Sequence, residues 1–402
     1  MTSIRLNRFC RTIVLFAVFL GFSANAELSF IITNSPPRVL PRRTSIIFIQ
    51  CDGLGYGDLS CDGQTKFQTP NLDKLAAEGI RFTNYSPGSA ASLPARAALM
   101  LGKNPSHLRQ RADAEISLAA NDTTVAQILK NFGYHTGLIG EWNLGDEHSS
   151  GAPWKKGFDE FAGYFNPTNA ENYYADYIYR YAPRSILNPT NNQREAFIGR
   201  EELYPNTGGK KNQYVPDLLM TAAMNFVKNN QPDQFNHYRP FFLLLNLTTP
   251  RPNMAEAART GNGMQVPTDA PFSEEPWPQP EKNKAAMIAR LDGDIGKLLE
   301  QLQKINMTNN IVIFFSSAGV PKKAGGVDPK FFQSIVSTNG FRAPMIARWP
   351  GKIPDGQVSG FKWTAADFLP TALEIAFIPP PKNIDGNSVL PTLLGQKQND
   401  RK

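Results

Sequence analysis

The sequence predicts an α/β protein with a doubly wound, mostly parallel β-sheet flanked by helices. Two observations predict it. Continuous apolar runs rich in β-branched and aromatic residues recur at Ser45–Gln50 (SIIFIQ), Phe241–Leu247 (FFLLLNL) and Ile311–Phe315 (IVIFF). Such runs suit central parallel strands buried on both faces. Helical signatures fall between them, and strands alternating with helices indicate crossover connections and parallel pairing. Ligands of such sheets bind beyond the carboxyl ends of the strands. The segments after Gln50, Ile139, Leu247 and Phe315 are therefore where chemistry belongs.

Taken in order, residues 1–26 read as a signal peptide. Arg5, Arg8 and Arg11 form its basic region, Ile13 to Phe22 its apolar run, and Ala24-Asn25-Ala26 its cleavage site. An uncleaved anchor is the alternative, although the run is short for a bilayer. Residues 27–44 read as a Pro-rich linker, 45–395 as one α/β domain and 396–402 as a tail. After the first strand, Pro70 to Ala77 has Pro early and Gly79 just past its end, a helix signature. Asp122-Thr123 is placed to cap a helix through Val125, Ile128, Leu129 and Phe132, closed by Gly133. Thr136 to Ile139 reads as a short strand. Residues 150–215, rich in Tyr, Asn, Pro and Gly, read as long loops. Leu218 to Val227 reads as a helix. Ala285 to Ile305 has helical periodicity, with Met287, Ile288, Leu291, Ile295, Leu298, Leu299 and Leu302 on one face. Pro344 to Ala347 begins a further strand.

Composition is that of a globular protein with a real core: 41% hydrophobic and 19% charged residues. Removing the first 26 residues, which hold three Arg and no acid, lowers the net charge from +7 to +4. This excess is mild and spread out, which argues against a nucleic-acid partner. With a signal peptide at its start, and no segment after residue 26 long and apolar enough to span a membrane, the chain is expected to be exported, periplasmic or extracellular. Cys10 leaves with the signal. Cys51 and Cys61 remain, as a disulfide or as two buried thiols.

At the strand ends the sequence resembles a known family. Asp52-Gly53-Leu54-Gly55-Tyr56-Gly57-Asp58 follows the first strand. Thr69-Pro70-Asn71-Leu72-Asp73-Lys74-Leu75-Ala76-Ala77-Glu78-Gly79-Ile80-Arg81-Phe82 and Ser92-Leu93-Pro94-Ala95-Arg96-Ala97-Ala98-Leu99 come next. Arg342-Ala343-Pro344-Met345-Ile346-Ala347-Arg348-Trp349-Pro350-Gly351-Lys352 and Asp367-Phe368-Leu369-Pro370-Thr371 stand near the end. Together, and in this order from Ser45 to about Gly395, they resemble the type I sulfatases of the alkaline phosphatase superfamily. The family's small C-terminal subdomain is then expected to be largely absent.

The resemblance implies a chemistry. In the family, a Cys or Ser in a C/S-x-P/A-x-R motif is oxidised to formylglycine, whose hydrate attacks the sulfur of a sulfate ester. A Ca²⁺ or Mg²⁺ activates it, while Lys and His side chains neutralise the sulfate and protonate the leaving group. Ser92 takes the nucleophile position, with Pro94 and Arg96 in register. Read without the family, Ser92 is a hydroxyl capping the following helix. Asp52 matches the first metal carboxylate. Read without the family, it is a buried acid satisfied by Arg96 or by backbone donors.

Other positions depart from the pattern. The second Asp is Gly53, and the later S-D-N-G string reads Ser316-Ser317-Ala318-Gly319. One carboxylate remains where a hard cation wants six or more oxygens, so Ca²⁺ or Mg²⁺ is expected to bind weakly or not at all. The G-K-W-H-L-G string reads Gly140-Glu141-Trp142-Asn143-Leu144-Gly145, replacing a Lys by an acid and a His by Asn. The A-P-H string reads Thr249-Pro250-Arg251, and Arg251 keeps a charge for substrate binding without a releasable proton. A second Lys aligns with Gln333. His107, His135, His148 and His237 align with no catalytic position and read as surface or structural.

Three functional readings follow. The first is a sulfatase scaffold with impaired or absent turnover that binds sulfated glycans. The second is an active Ser-type sulfatase using formylglycine at Ser92. The third is a secreted, non-enzymatic interaction protein.

Overall fold

Seven residues with apolar or small side chains at all but one position, Ser45–Cys51, form the first strand, β1, and every one is buried. The computed structural model describes residues 43–109, 117–188, 193–231, 239–319, 325–328, 331 and 342–398. The expected signal peptide, nearly all of the expected linker, Gln333 and His237 lie outside the described residues. The remaining strands are β2 (Ile80–Phe82), β3 (Tyr85–Ser86), β4 (His135–Glu141), β5 (Glu160–Tyr164), β6 (Tyr177–Asn188), β7 (Gln193–Glu202), β8 (Phe241–Asn246), β9 (Ile311–Ser317), β10 (Met345–Arg348), β11 (Gln357–Ser359) and β12 (Trp363–Thr364). Ten of them make one sheet in the order β11-β2-β10-β9-β1-β8-β4-β5-β6-β7, and β3 pairs separately with β12.

The middle of the sheet, β9-β1-β8-β4-β5, is parallel throughout. The antiparallel pairs lie at the flanks, β10 against β9 and β2 on one side and β5-β6-β7 on the other. Because side chains alternate along a strand, β1 feeds two cores. Ile47, Ile49 and Cys51 pack on one face with Leu72 and Leu75 of α1 (Pro70–Ala77). The same layer holds Ala223 and Phe226 of α5 (Val215–Asn229) and Met287, Ile288, Leu291, Ile295 and Leu298 of α7 (Gln279–Lys304). Ile46 and Phe48 pack on the other face with α2 (Ser92–Leu101), α3 (Val125–Asn131) and α8 (Phe368–Ile375). Helices α4 (Pro167–Ala170), α5 (Val215–Asn229), α6 (Met254–Thr260) and α7 (Gln279–Lys304) complete the elements that bear on the site. Helices on both faces of a parallel centre are the doubly wound arrangement expected.

Two expectations are corrected. The cap of α3 is Thr124, whose side chain accepts from the Gln127 amide in a capping box. Asp122 instead accepts from the Ala119 amide. Residues 150–215 are not mainly loop, because β6 and β7 form a long antiparallel hairpin there. Their alternating aromatic and polar residues, as in Tyr177-Ile178-Tyr179-Arg180-Tyr181, fit an edge ribbon better than a loop.

His135 opens β4 between two acids. Its Nε2 lies 2.7 Å from Glu160 and its Nδ1 3.4 Å from Asp159. Burial pushes its pKa down, but these carboxylates outweigh burial and hold it above the ordinary value. A raised folded-state pKa contributes stability below the unfolded value, about 6.5, and loses it as pH rises through the folded value. His135→Gln should therefore destabilise most at pH 5–6 and progressively less above pH 7, as read from thermal midpoints across that range. A difference independent of pH would contradict this reading.

Candidate active site

Parallel pairing puts the carboxyl ends of β1, β4, β8 and β9 along one edge of the sheet. Asp52 follows β1 directly, and Glu141 is the last residue of β4. β8 runs between those two strands, with Gln50 level with Asn246 and Asn246 level with Gly140. A side chain from the segment after β8 can thus reach both acids, and Arg251 does. Its Nη1 donates to Asp52 Oδ2 at 2.7 Å and its Nη2 lies 2.9 Å from Glu141 Oε2. Its Nε lies 3.6 Å from Glu171, the residue after α4.

Arg96, on α2, closes the cluster. Its Nη2 donates to Glu141 Oε2 at 2.9 Å and to Asp52 Oδ2 at 3.3 Å. Its Nη1 meets Glu141 Oε1 at 2.8 Å without hydrogen-bond alignment. The Arg96 side chain is 1% exposed, Glu141 0%, Asp52 6% and Arg251 12%. Burial pushes the Glu141 carboxyl up, but the two guanidinium groups outweigh it and hold the carboxyl well below the usual range. Burial raises Glu171 despite Arg251 beside it, and the neighbouring acids add to the rise. Among the described residues three carboxylates face two guanidinium groups here, which leaves no surplus positive charge in this cluster.

The backbone explains why these groups meet. Gly53 has φ +90°, and a Cβ there would sit 3.3 Å from the Arg251 Cα. A second Asp at 53 would thus be strained and would crowd Arg251. The Arg251 segment is pinned by Tyr173, whose hydroxyl donates to the carbonyls of Arg251 (2.6 Å) and Thr248 (3.1 Å). Gly319 lets the strand end approach Asp52, since a Cβ there would lie 2.8 Å from Asp52 Oδ1. The Asp52–Asp58 segment is further fixed by Lys284 of α7, whose Nζ lies 3.1 Å from Asp58 Oδ2, both side chains buried.

Ser92 is the first residue of α2 and partly buried. It caps nothing: the cap residue is Ala91, and no side chain takes that role. Ser317 Oγ accepts from the Leu54 amide at 3.2 Å and donates to the Gly319 carbonyl at 2.9 Å. Asn143 is buried with φ 54°, a conformation Asn tolerates. His107 is exposed beside Asp385, His148 is exposed, and His135 is on β4, so none of these three joins the cluster. Cys51 and Cys61 are free thiols rather than a disulfide.

A family model described as Sulfatase matches residues 44–378. The chain belongs to the sulfatase family. The canine N-acetylgalactosamine-6-sulfatase is 28% identical over 384 residues, spanning 90% of this sulfatase-family chain and 68% of its own. The N-acetylgalactosamine-6-O-sulfatase of Bacteroides thetaiotaomicron is 25% identical over 435 residues, spanning 90% and 78%. Among solved structures, Ps i-CgsB in complex with a neocarrahexaose matches with TM-score 0.66 and 27% identity, covering 88% of this chain and 76% of the other.

Sulfatases typically use a metal ion and formylglycine. The residues at this chain's strand ends do not fit a divalent cation. Asp52 Oδ2 is already shared by two guanidinium groups, Gly53 and Ala318 offer no side-chain oxygen, and Ser317 is engaged with backbone. Among the described residues no group of three or more His, Cys, Asp and Glu could hold a metal ion. Sequence reasoning placed Asp52, Arg96 and Arg251 at this edge but treated Glu141 only as a lost cation. It missed Glu171 and Lys284, which sit in sequence contexts that carry no motif.

Proposed function

We propose that this chain is an exported sulfatase-family protein that engages sulfated carbohydrate, with sulfate-ester hydrolysis reduced to a trace or lost. The pairing of Asp52 with both Arg251 and Arg96 carries this reading. A sulfuryl-transfer transition state concentrates negative charge and needs surplus, preorganised positive charge. Here the guanidinium groups are already neutralised by Asp52, Glu141 and Glu171. A ground-state sulfate ester carries a single spread charge and makes a smaller demand, and contacts to the sugar add to its binding. The names of the relatives support the ligand class: N-acetylgalactosamine-6-sulfatases, and a structure holding a carrageenan-type oligosaccharide.

The test is titration calorimetry with 6-sulfated N-acetylgalactosamine and carrageenan oligosaccharides against their desulfated forms, with thermal melts in calcium alongside. The expected result is binding of a sulfated ligand, about tenfold or more weaker without its sulfate, and a wild-type melting temperature indifferent to millimolar calcium. Equal affinity for both forms would remove the glycan part of the reading. Calcium stabilisation with turnover through Ser92 would replace it by the active-sulfatase reading.

A further inference from the structure

We propose that the cavity between α5 and the β6-β7 hairpin binds an uncharged sugar residue, at a site separate from the strand-end cluster. Ala223 and Phe226 of α5 pack into the core against the sheet, so the helix walls the cavity rather than filling it. Between the outer flank of α5 and the hairpin lies a space of about 620 Å³. Small-ligand sites occupy about 300–1,000 Å³. The cavity lies on a face of the sheet, not at its carboxyl edge. It therefore stands whether or not the strand-end cluster takes sulfate.

The lining selects the ligand class. Ile178 and Ala182 of β6, with Leu218 and Ala222 of α5, give it apolar surface. Its charged side chains are all paired within the fold: Arg180 with Glu201 at 3.0 Å, Glu202 with Arg200 at 3.2 Å and Glu160 with His135 at 2.7 Å. No lining charge is left over to draw in an ion. The polar groups that stay free are neutral amides. Among the described residues, the side chains of Gln213, Asn225 and Asn229 have no hydrogen-bond partner. An amide both donates and accepts, as a sugar hydroxyl does. The apolar surface suits the C–H face of a sugar ring.

The mouth is held in place. Tyr204 lines it and is 77% exposed. Its turn, Tyr204–Asn206, is locked by Asn206, which is 1% exposed. The Asn206 side-chain nitrogen donates to the Ala175 and Gln213 carbonyls at 2.9 and 2.8 Å. Its oxygen accepts from the Asn212 and Gln213 amides at 3.2 and 2.9 Å. One buried side chain thus fixes both Tyr204 and Gln213 at the opening. An aromatic ring on a rigid turn gives a sugar face a stacking surface at little cost in lost freedom.

The experiment titrates the full chain with galactose, N-acetylgalactosamine and an uncharged galactose tetrasaccharide, read by saturation-transfer NMR and calorimetry. The variants are Asn225→Leu with Asn229→Leu, Tyr204→Ala and Ala222→Trp, each checked by thermal melts. Leucine suits a helix surface, so the double variant keeps its fold. At least one of the three sugars should bind the wild type with a Kd of about 10 mM or tighter. The double variant should weaken that binding by about tenfold and Tyr204→Ala by about threefold. Ala222→Trp, which fills the cavity, should abolish it. Binding should be the same at low salt and in about 1 M sodium chloride, because no ion pair forms. The proposal is overturned if none of the three sugars binds at about 20 mM, if the folded double variant binds like wild type, or if salt strips the sugar off. A missing preference for sulfated over desulfated ligand would strike only the strand-end reading.

Discussion

Arg96→Ala is expected to lower the free energy of unfolding by about 3–5 kcal/mol, because it leaves buried carboxylates short of a partner. Glu141 is inaccessible to water and receives both Arg96 nitrogens, while Asp52 shares one of them. Arg251 alone would then face Glu141, Asp52 and Glu171. Arg96→Lys should recover only part of the loss, since one ammonium cannot span two carboxylates as a planar fork does. The effect depends on pH with a definite sign. The Glu141 pKa is depressed in the fold, to about 2. Its contribution is therefore present above the unfolded value and is lost as pH falls through the folded one. Urea denaturation at pH 7 and pH 3 reads both points. A loss under about 1 kcal/mol at pH 7 would mean that the network is not worth what a buried ion pair should be.

The second large effect is on turnover. Against an active family member assayed on the same aryl sulfate, kcat/KM should be lower by about 10⁴-fold or more. One preorganised donor is worth roughly 10²–10³ and a general acid roughly 10²–10⁴, and the terms do not simply multiply. On the resemblance of the motif strings, Glu141 would stand for a Lys, Asn143 for a His and Arg251, ion-paired to acids, for another His. Added calcium and Ser92→Ala should both leave the residual rate unchanged. A Ser92→Ala loss of tenfold or more would show that the hydroxyl position takes part in catalysis and would revive the active-sulfatase reading.

Much of this was legible in the residue order. SIIFIQ, FFLLLNL and IVIFF declare buried parallel strands because no charged residue interrupts them. Their alternation with the helices read over Pro70 to Ala77 and Ala285 to Ile305 gives the crossover pattern. The motif strings after those strands placed Asp52, Arg96 and Arg251 at the functional edge. The β6-β7 hairpin was hidden because its Tyr, Arg and Asn content resembles loop composition. Its period-2 alternation was the signal that would have found it.

What the sequence determined by itself, then, is the sheet and the family, because periodicity and strand-end motifs are local properties of the chain. Only the tertiary structure decided which of these side chains meet. Glu141 and Arg251 are 110 positions apart in sequence, and they meet because β8 lies between β1 and β4 in the sheet. Charge pairing across strands depends on strand order, which no local pattern encodes. The result, among the described residues, is a centre whose guanidinium groups are paired with its own acids.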